Sequence, residues 1–258
     1  HLAKVVHLSD VPMDPRVNYM RKYKDDEVGE KELRNYKANE RFVKKYLEVA
    51  EHDLFFADAI ILIEGSAERI LLPQMMKNES SYLSSKFITF FEVGGAYSHL
   101  FFPWLEALER PTLIITDIDT VQGSGNKTKT HTTIGDNKIS KNPTIWKWFN
   151  DNEITIDNLV RYKNKDKEKD NMRITYQYKD YGEDAYSRTF EDDFALTNKE
   201  LFKEMSKVKG LAQKFKDIFI KYDNINEDVT EKLFEYVDNT KTTFALDILF
   251  NELALDQP

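Results

Sequence analysis

Three apolar runs, at residues 55–63, 86–93 and 111–116, give the clearest structural signal in this sequence. Each run is too continuous to alternate between a buried and an exposed side, so we expect strands that are covered on both faces. Segments with apolar residues at helical spacing follow the first two runs, at 67–76 and 96–108. The order strand, helix, strand, helix, strand predicts an α/β fold, with a mostly parallel, Rossmann-like sheet flanked by helices.

Turn-forming and polar residues dominate the chain after Asp119. The Gly- and Thr-rich stretch 123–133 predicts a long mobile loop. A helix is expected to begin near Pro143, because Asn142 or Thr144 can cap it. In the earlier helical segment, Pro103 predicts either a kink or a late helix start.

The second half of the chain has a weaker pattern. Residues 164–171 are charged and predict an exposed connection, 172–178 alternate like a strand, and 186–194 are expected to continue beside that strand. The remainder is mainly helical in pattern. We therefore expect a helical lead-in over 1–52, an α/β core over 53–150, and a mainly helical subdomain over 151–258 that completes the domain.

Acidic residues stand directly after two of the three apolar runs. Glu64 follows the first run, with Glu68 one helical turn later, and Asp117 and Asp119 follow the third. Because ligands gather at the carboxyl ends of parallel strands, we expect these four carboxylates to converge at one sheet edge. Carboxylates held that close either take up protons or recruit cations, and oxygen ligands suit magnesium or manganese. The two motifs together predict a divalent-metal site, although either alone could simply begin a helix or end a strand.

Composition narrows the class of protein. A hydrophobic fraction of 41% over 258 residues is typical of a globular chain, and no apolar stretch is long enough to cross a bilayer, so no membrane partner is expected. Cysteine is absent, which excludes disulfides and thiolate zinc sites. No secretory leader is recognisable, and a cytoplasmic location is therefore the expectation.

For the question of a nucleic-acid partner, the distribution of charge along the chain is more informative than the net charge. A net charge of −8 argues against a nucleic-acid partner, because phosphate contacts need lysine and arginine. The segment 127–147 that follows the Asp pair is nevertheless basic, with Asp136 as its one acidic residue. A second lysine-rich stretch, 199–221, also contains acidic residues. It could be an ordinary solvent-exposed face as readily as a nucleic-acid contact. Candidate DNA-contacting residues in the first segment are Lys127, Lys129 and Lys138.

The acidic motifs resemble those of the TOPRIM domain, which topoisomerases, primases and OLD (overcoming lysogenisation defect) family nucleases share. TOPRIM domains have a glutamate after the first strand and an Asp-x-Asp after a later one. The closer resemblance is to the carboxyl-terminal nuclease half of OLD-family proteins. The segments that carry it are 54–68, 94–100, 113–120, 188–194 with Asn198, and 241–245.

This resemblance implies a DNA endonuclease that hydrolyses phosphodiester bonds with two Mg²⁺ or Mn²⁺ ions about 4 Å apart. Glu64, Glu68, Asp117 and Asp119 would bind the ions, and Glu191 would join them unless it is an ordinary surface residue. A lysine near the scissile phosphate would neutralise charge or supply a proton. The family motif points to Lys241, which could instead be a solvated helix start, whereas proximity to the Asp pair points to Lys141. Arg188 is a further candidate for contact with DNA phosphate.

The resemblance also implies partners. OLD-family proteins carry an amino-terminal ABC-type ATPase domain, and the full-length protein could form a homo-oligomer. The chain contains no Gly-x-x-x-x-Gly-Lys-Ser/Thr sequence, so we do not expect it to hydrolyse ATP by itself. Links to phage interactions and antiviral defence are common in the family.

Two other functions fit part of the pattern. Asp117-x-Asp119 after a strand also matches the first motif of haloacid dehalogenase phosphatases, in which the first aspartate is the nucleophile and the second the acid/base. That hypothesis leaves Glu64 and Glu68 without a role and lacks a convincing later acidic motif. A TOPRIM-like domain that binds nucleic acid without cutting it is the non-enzymatic alternative.

Overall fold

The structure is a computed structural model that describes residues 41, 43, 45, 52–79, 81–94, 97–123, 128–135, 137–182, 185–237 and 241–250. Nearly all of the predicted helical lead-in over 1–52 lies outside the described residues. The proposed domain limits at 52/53 and 150/151 therefore stay predictions.

Strands and helices alternate through the first half of the described chain, and helices dominate the end. The strands are β1 Ala59–Ile63, β2 Ile88–Glu92, β3 Thr112–Ile115, β4 Thr120–Gln122, β5 Thr132–Thr133, β6 Lys138–Ser140, β7 Glu168–Lys169, β8 Met172–Thr175 and β9 Ala185–Tyr186. The helices are α1 Ser66–Glu79, α2 Ser81–Ser84, α3 Phe102–Leu108, α4 Pro143–Phe149, α5 Ile156–Arg161, α6 Phe190–Thr197, α7 Lys199–Glu204, α8 Gly210–Lys221, α9 Glu227–Val237 and α10 Lys241–Phe250. Short 3₁₀ turns occupy His52–Phe55, Ser98–Phe101 and Asn164–Lys167.

The main sheet has the strand order β2, β1, β3, β8, β7. Its first four strands are parallel, and the short β7 pairs antiparallel with β8 at the edge. This arrangement confirms the predicted mostly parallel sheet with flanking helices and an added helical region. Leu62 lies opposite Ile114, which in turn lies opposite Ile174, so β1, β3 and β8 end side by side.

Both faces of β1 are covered, as its continuous apolar pattern predicted. Ile60 and Leu62 join a core cluster with residues of α3, α4 and α5, while the alternating Ile61 and Ile63 are also buried. A second cluster joins α1 to the carboxyl-terminal helices, and Phe202, Phe215, Phe219 and Phe244 are its largest fully buried members. The helical region thus packs against the helix that follows Glu64.

Two helix starts follow the chemistry read from the sequence. Asn142 caps α4 by accepting a hydrogen bond from the backbone N of Thr144. Pro103 stands in the first turn of α3, after a separate 3₁₀ turn, so the late start is confirmed rather than a kink. Among the described residues, no helix is long and apolar enough to cross a membrane.

Two expectations about the middle of the chain are wrong. The stretch 123–133, expected to form one long loop, ends in β5, which pairs antiparallel with β9. Just before this stretch, β4 pairs antiparallel with β6. The segment 186–194 does not continue beside β8, because β9 pairs with β5 and α6 begins at Phe190. The connection 164–171 is mainly exposed, as expected, although it includes a 3₁₀ turn, β7 and the buried Lys167.

Candidate metal and nuclease site

The parallel register brings the two acidic motifs to one edge of the sheet. Glu64 follows β1, and Asp117 and Asp119 follow β3, its direct neighbour. The Thr116 hydroxyl at the end of β3 donates a short hydrogen bond to Glu64 Oε1. The structure thus brings Glu64 beside the Asp pair, as the motif spacing suggested.

Both burial and neighbouring negative charge act on the Glu64 carboxyl group. Burial is the largest reason why the pKa of Glu64 is raised from 4.5 to about 8, and the negative charges of Asp117 and Asp119 act in the same direction. Hydrogen bonds from Thr116 and Asn142 partly offset this rise. A carboxyl group that is costly to ionise beside two other carboxylates is stabilised when a cation binds nearby.

The donor chemistry of this edge fits a hard divalent cation. Glu64, Asp117 and Asp119 supply carboxylate oxygens, the ligands that Mg²⁺ and Mn²⁺ prefer. Within the described ranges, however, no three acidic or histidine side chains already surround one point as a metal cage. A bound ion would therefore require at least one of these side chains to turn towards it.

Glu68 lies in the first turn of α1, and its side chain is buried. A Cβ atom at Gly65 would stand only 3.2 Å from Glu68 Oε2. The glycine therefore leaves room for the Glu68 carboxylate to lie against the turn that follows Glu64.

Asn142 connects both acidic motifs to the start of α4. Its side chain is fully buried, and Nδ2 lies 3.0 Å from Glu64 Oε1, 2.8 Å from Thr116 Oγ1 and 2.7 Å from the carbonyl oxygen of Asp117. Its Oδ1 accepts the capping hydrogen bond from Thr144 N. The amide oxygen of Asn142 therefore caps the helix, and its amide nitrogen contacts the acidic edge.

Asp119 sits in a left-handed backbone conformation with φ 53° and contacts Arg188. Arg188 Nη2 donates to Asp119 Oδ1 at 3.1 Å, and Arg188 Nε lies 3.5 Å from the carbonyl oxygen of Thr120. On its other side the guanidinium lies 5.4 Å from the ring centroid of Phe234 in α9. Arg188 thereby links the Asp pair to the helical region.

The amino terminus of α6 reaches the other aspartate. The backbone N of Phe190 donates to Asp117 Oδ1 at 3.0 Å, a favourable contact because helix amino termini attract negative charge. The turn before it is held by Asp192, which accepts hydrogen bonds from the backbone N atoms of Arg188 and Thr189. Glu191, the next residue after Phe190, is fully buried, so it is not an ordinary surface residue.

Both candidate lysines belong to segments that adjoin this edge. Lys141 has an exposed side chain, and its backbone N donates to the carbonyl oxygen of Asp119 at 3.0 Å. Lys241 begins α10, and the side chain of Lys241 lies outside the described residues. Its neighbour Thr242 has its hydroxyl 2.6 Å from the Ser66 hydroxyl, which places the start of α10 beside the start of α1.

The residues expected to contact DNA lie in different environments. Lys127 lies outside the described residues, and Lys129 is exposed. Lys138 is buried, and its Nζ donates to Thr133 Oγ1 at 2.5 Å and lies 3.2 Å from His131 Nε2. Arg188 is buried against Asp119. In this conformation neither Lys138 nor Arg188 presents its charge to solvent, which favours internal roles over direct contact with phosphate.

Sequence reasoning overlooked one residue at this edge, Gln177. It follows β8, is buried, and has its Nε2 3.1 Å from Asp117 Oδ1. The alternating pattern of 172–178 predicted the strand, but only the pairing of β3 with β8 reveals that Gln177 lies beside Asp117.

Comparisons with known proteins show which family part of this chain resembles. Residues 55–119 match the family model described as "Overcoming lysogenization defect protein-like, TOPRIM domain". The chain is 31% identical over 234 residues to Endonuclease GajA of Bacillus cereus (strain HuB5-5), which covers 88% of this chain and 33% of that protein. It is also 31% identical over 220 residues to Endonuclease GajA of Bacillus cereus (strain VD045), covering 81% of this chain and 36% of that protein. The chain thus spans about a third of the length of these curated relatives.

Among solved structures, the C-terminal region of the Burkholderia pseudomallei OLD protein aligns with a TM-score of 0.41 and 16% identity. That alignment covers 78% of this chain and 96% of the other. The family match spans β1 to Asp119 and so contains both acidic motifs. The resemblance read from the sequence is thereby confirmed for this segment, which matches the OLD-like TOPRIM domain.

Proposed function

We propose that this chain is the nuclease part of an OLD-family protein and hydrolyses DNA phosphodiester bonds with the help of divalent cations. The observation that carries the proposal is the meeting of Glu64 with Asp117 and Asp119 at one edge of a TOPRIM sheet. The homology to proteins named as endonucleases supports it.

Mg²⁺ or Mn²⁺ would be held by Glu64, Asp117 and Asp119, with Glu68 and Glu191 as further ligands. When bound, such ions stabilise the attacking and leaving oxygens of a phosphoryl displacement. The chain itself supplies the buried carboxylates and the donors that orient them. Lys141 or Lys241 would neutralise charge on the scissile phosphate, and the exposed Lys129 would contact the DNA backbone.

The proposal includes partners beyond this chain. Because the chain spans about a third of its curated relatives, the amino-terminal ABC-type ATPase domain and any homo-oligomer would belong to the full-length protein. DNA is the proposed substrate, and the cytoplasm is the proposed location. We further propose a role in defence against phage.

Cleavage of supercoiled plasmid DNA tests the proposal. Wild-type protein should nick or cut the plasmid with Mn²⁺ or Mg²⁺ and not with a chelator. Asp117→Asn and Glu64→Gln should each lower the rate more than about 100-fold, because each removes a proposed ligand. Glu106→Gln is the matched control, since Glu106 is an exposed carboxylate on α3, away from this edge.

Three results would overturn or replace the proposal. Full cleavage by Asp117→Asn would refute the site assignment. Release of phosphate from small esters, without DNA cleavage, would favour the phosphatase alternative. DNA binding without cleavage in every divalent metal would favour a non-catalytic module.

A further inference from the structure

The polar residue Gln177 is buried just beyond the carboxyl end of β8. The residue before it, Tyr176, belongs to the core cluster on the side of α3, α4 and α5. Gln177 is 6% exposed, and alternation along the strand directs it to the other side. Burying an amide is costly unless its donor and acceptor are both satisfied, so its partners explain why it is there.

Both ends of the Gln177 amide have a partner on the segment that follows β3. Oε1 accepts a hydrogen bond from the backbone N of Ile118 at 3.0 Å, and Nε2 donates to Asp117 Oδ1 at 3.1 Å. A backbone N–H can only donate, so it must face the amide oxygen. The amide nitrogen is then necessarily the atom that faces Asp117.

A second donor converges on the same carboxylate oxygen. The backbone N of Phe190 lies 3.0 Å from Asp117 Oδ1. Gln177 comes from β8 and Phe190 from the start of α6, so two separate elements fix the rotation of one carboxylate. Hydrogen bonds to a charged oxygen are stronger than those between neutral groups, which makes this pair an effective restraint.

We propose that Gln177 is a positioning residue for Asp117 and sets the direction in which that carboxylate meets a divalent cation. The inference rests on the proposed metal-dependent function. It adds a residue that binds neither the ion nor DNA but acts through Asp117. Residues with this relation to a metal ligand typically change metal affinity by 10- to 100-fold when they are replaced.

The first test compares Mn²⁺ affinity in wild type, Gln177→Met and Thr175→Val by calorimetry. Gln177→Met keeps the approximate length of the side chain and removes the amide donor. Thr175→Val is the matched control, because Thr175 is the last residue of β8 and stands two positions before Gln177. Gln177→Met should bind Mn²⁺ about 10- to 100-fold more weakly, and Thr175→Val should bind it as wild type does. Thermal unfolding of each variant establishes that the comparison is made on folded protein.

A second test separates positioning from a general structural role. In an Asp117→Asn background, Gln177→Met should cause no further loss of Mn²⁺ affinity, because its effect passes through the missing carboxylate. A further tenfold loss in that background would contradict the inference. Equal Mn²⁺ affinity of Gln177→Met and wild type would also overturn it, even if both cut DNA. If wild type binds Mn²⁺ but cuts no DNA, the proposed nuclease fails while these comparisons still decide the role of Gln177.

Discussion

The Glu64 carboxyl group should make the metal-free protein less stable as the pH rises, and Glu64→Gln should remove that dependence. An unfolded chain releases this proton near pH 4.5, whereas the folded chain retains it to about pH 8 because burial and the Asp pair raise the pKa. Between these values the folded state binds more protons than the unfolded state. The free energy of unfolding therefore falls with rising pH.

The structure sets the size of the effect. Each unit of pKa difference corresponds to about 1.4 kcal/mol, so the full shift gives an upper bound of roughly 5 kcal/mol at alkaline pH. Glu64→Gln is a suitable comparison because it keeps an oxygen that can accept from Thr116 and Asn142. Asp192, whose pKa burial raises to about 7, contributes a dependence of the same sign in both proteins. The difference between the two curves isolates Glu64.

Urea unfolding of both proteins, with a chelator and between about pH 5 and about pH 8, measures this difference. Wild type should lose stability relative to Glu64→Gln as the pH rises. Saturating Mn²⁺ should reverse the trend for wild type, because the ion binds the deprotonated carboxylate. Parallel curves in the chelator would contradict the raised pKa of Glu64, since they would mean that Glu64 ionises alike in the folded and unfolded chains.

Three further substitutions test the contacts around this edge. Asn142→Ala removes a helix cap and a donor to the acidic edge, so the free energy of unfolding measured with urea should fall by about 2–4 kcal/mol. A fall of less than about 0.5 kcal/mol would contradict the contacts assigned to Asn142. Arg188→Met removes the partner of the half-buried Asp119 and should lower the free energy of unfolding by about 1–3 kcal/mol in the same assay. An unchanged free energy of unfolding would show that this ion pair does not stabilise the fold. Gly65→Ala places a Cβ 3.2 Å from Glu68 Oε2 and should weaken Mn²⁺ binding measured by calorimetry. Unchanged affinity would contradict the idea that Mn²⁺ binding needs Glu68 to stay close to this turn.

The sequence pattern of a segment was sufficient to predict its secondary structure where that structure depends on the segment alone. The continuous apolar runs predicted β1 and β3, and the capping chemistry predicted the start of α4 at Asn142. The acidic motifs were predictable because each directly follows its strand, and parallel pairing places neighbouring strand ends together.

Contacts between distant segments could not be read from the sequence. The two-residue strand β5 pairs with β9, more than 50 positions further along, and neither segment is long enough to show a periodic pattern. Lys138 belonged to a basic segment that resembled a DNA-binding surface, yet tertiary contacts bury it. Gln177 had no motif at all, since its role depends on β8 pairing with β3.

Anomalous scattering from a crystal soaked in Mn²⁺ would locate the ion relative to the acidic edge. We expect Mn²⁺ at the carboxyl edge of β1 and β3, bound by oxygens of Glu64, Asp117 and Asp119, in protein that cuts plasmid DNA when Mn²⁺ is supplied. Cleavage-competent protein whose Mn²⁺ lies elsewhere, with these three carboxylates unbound, would contradict it.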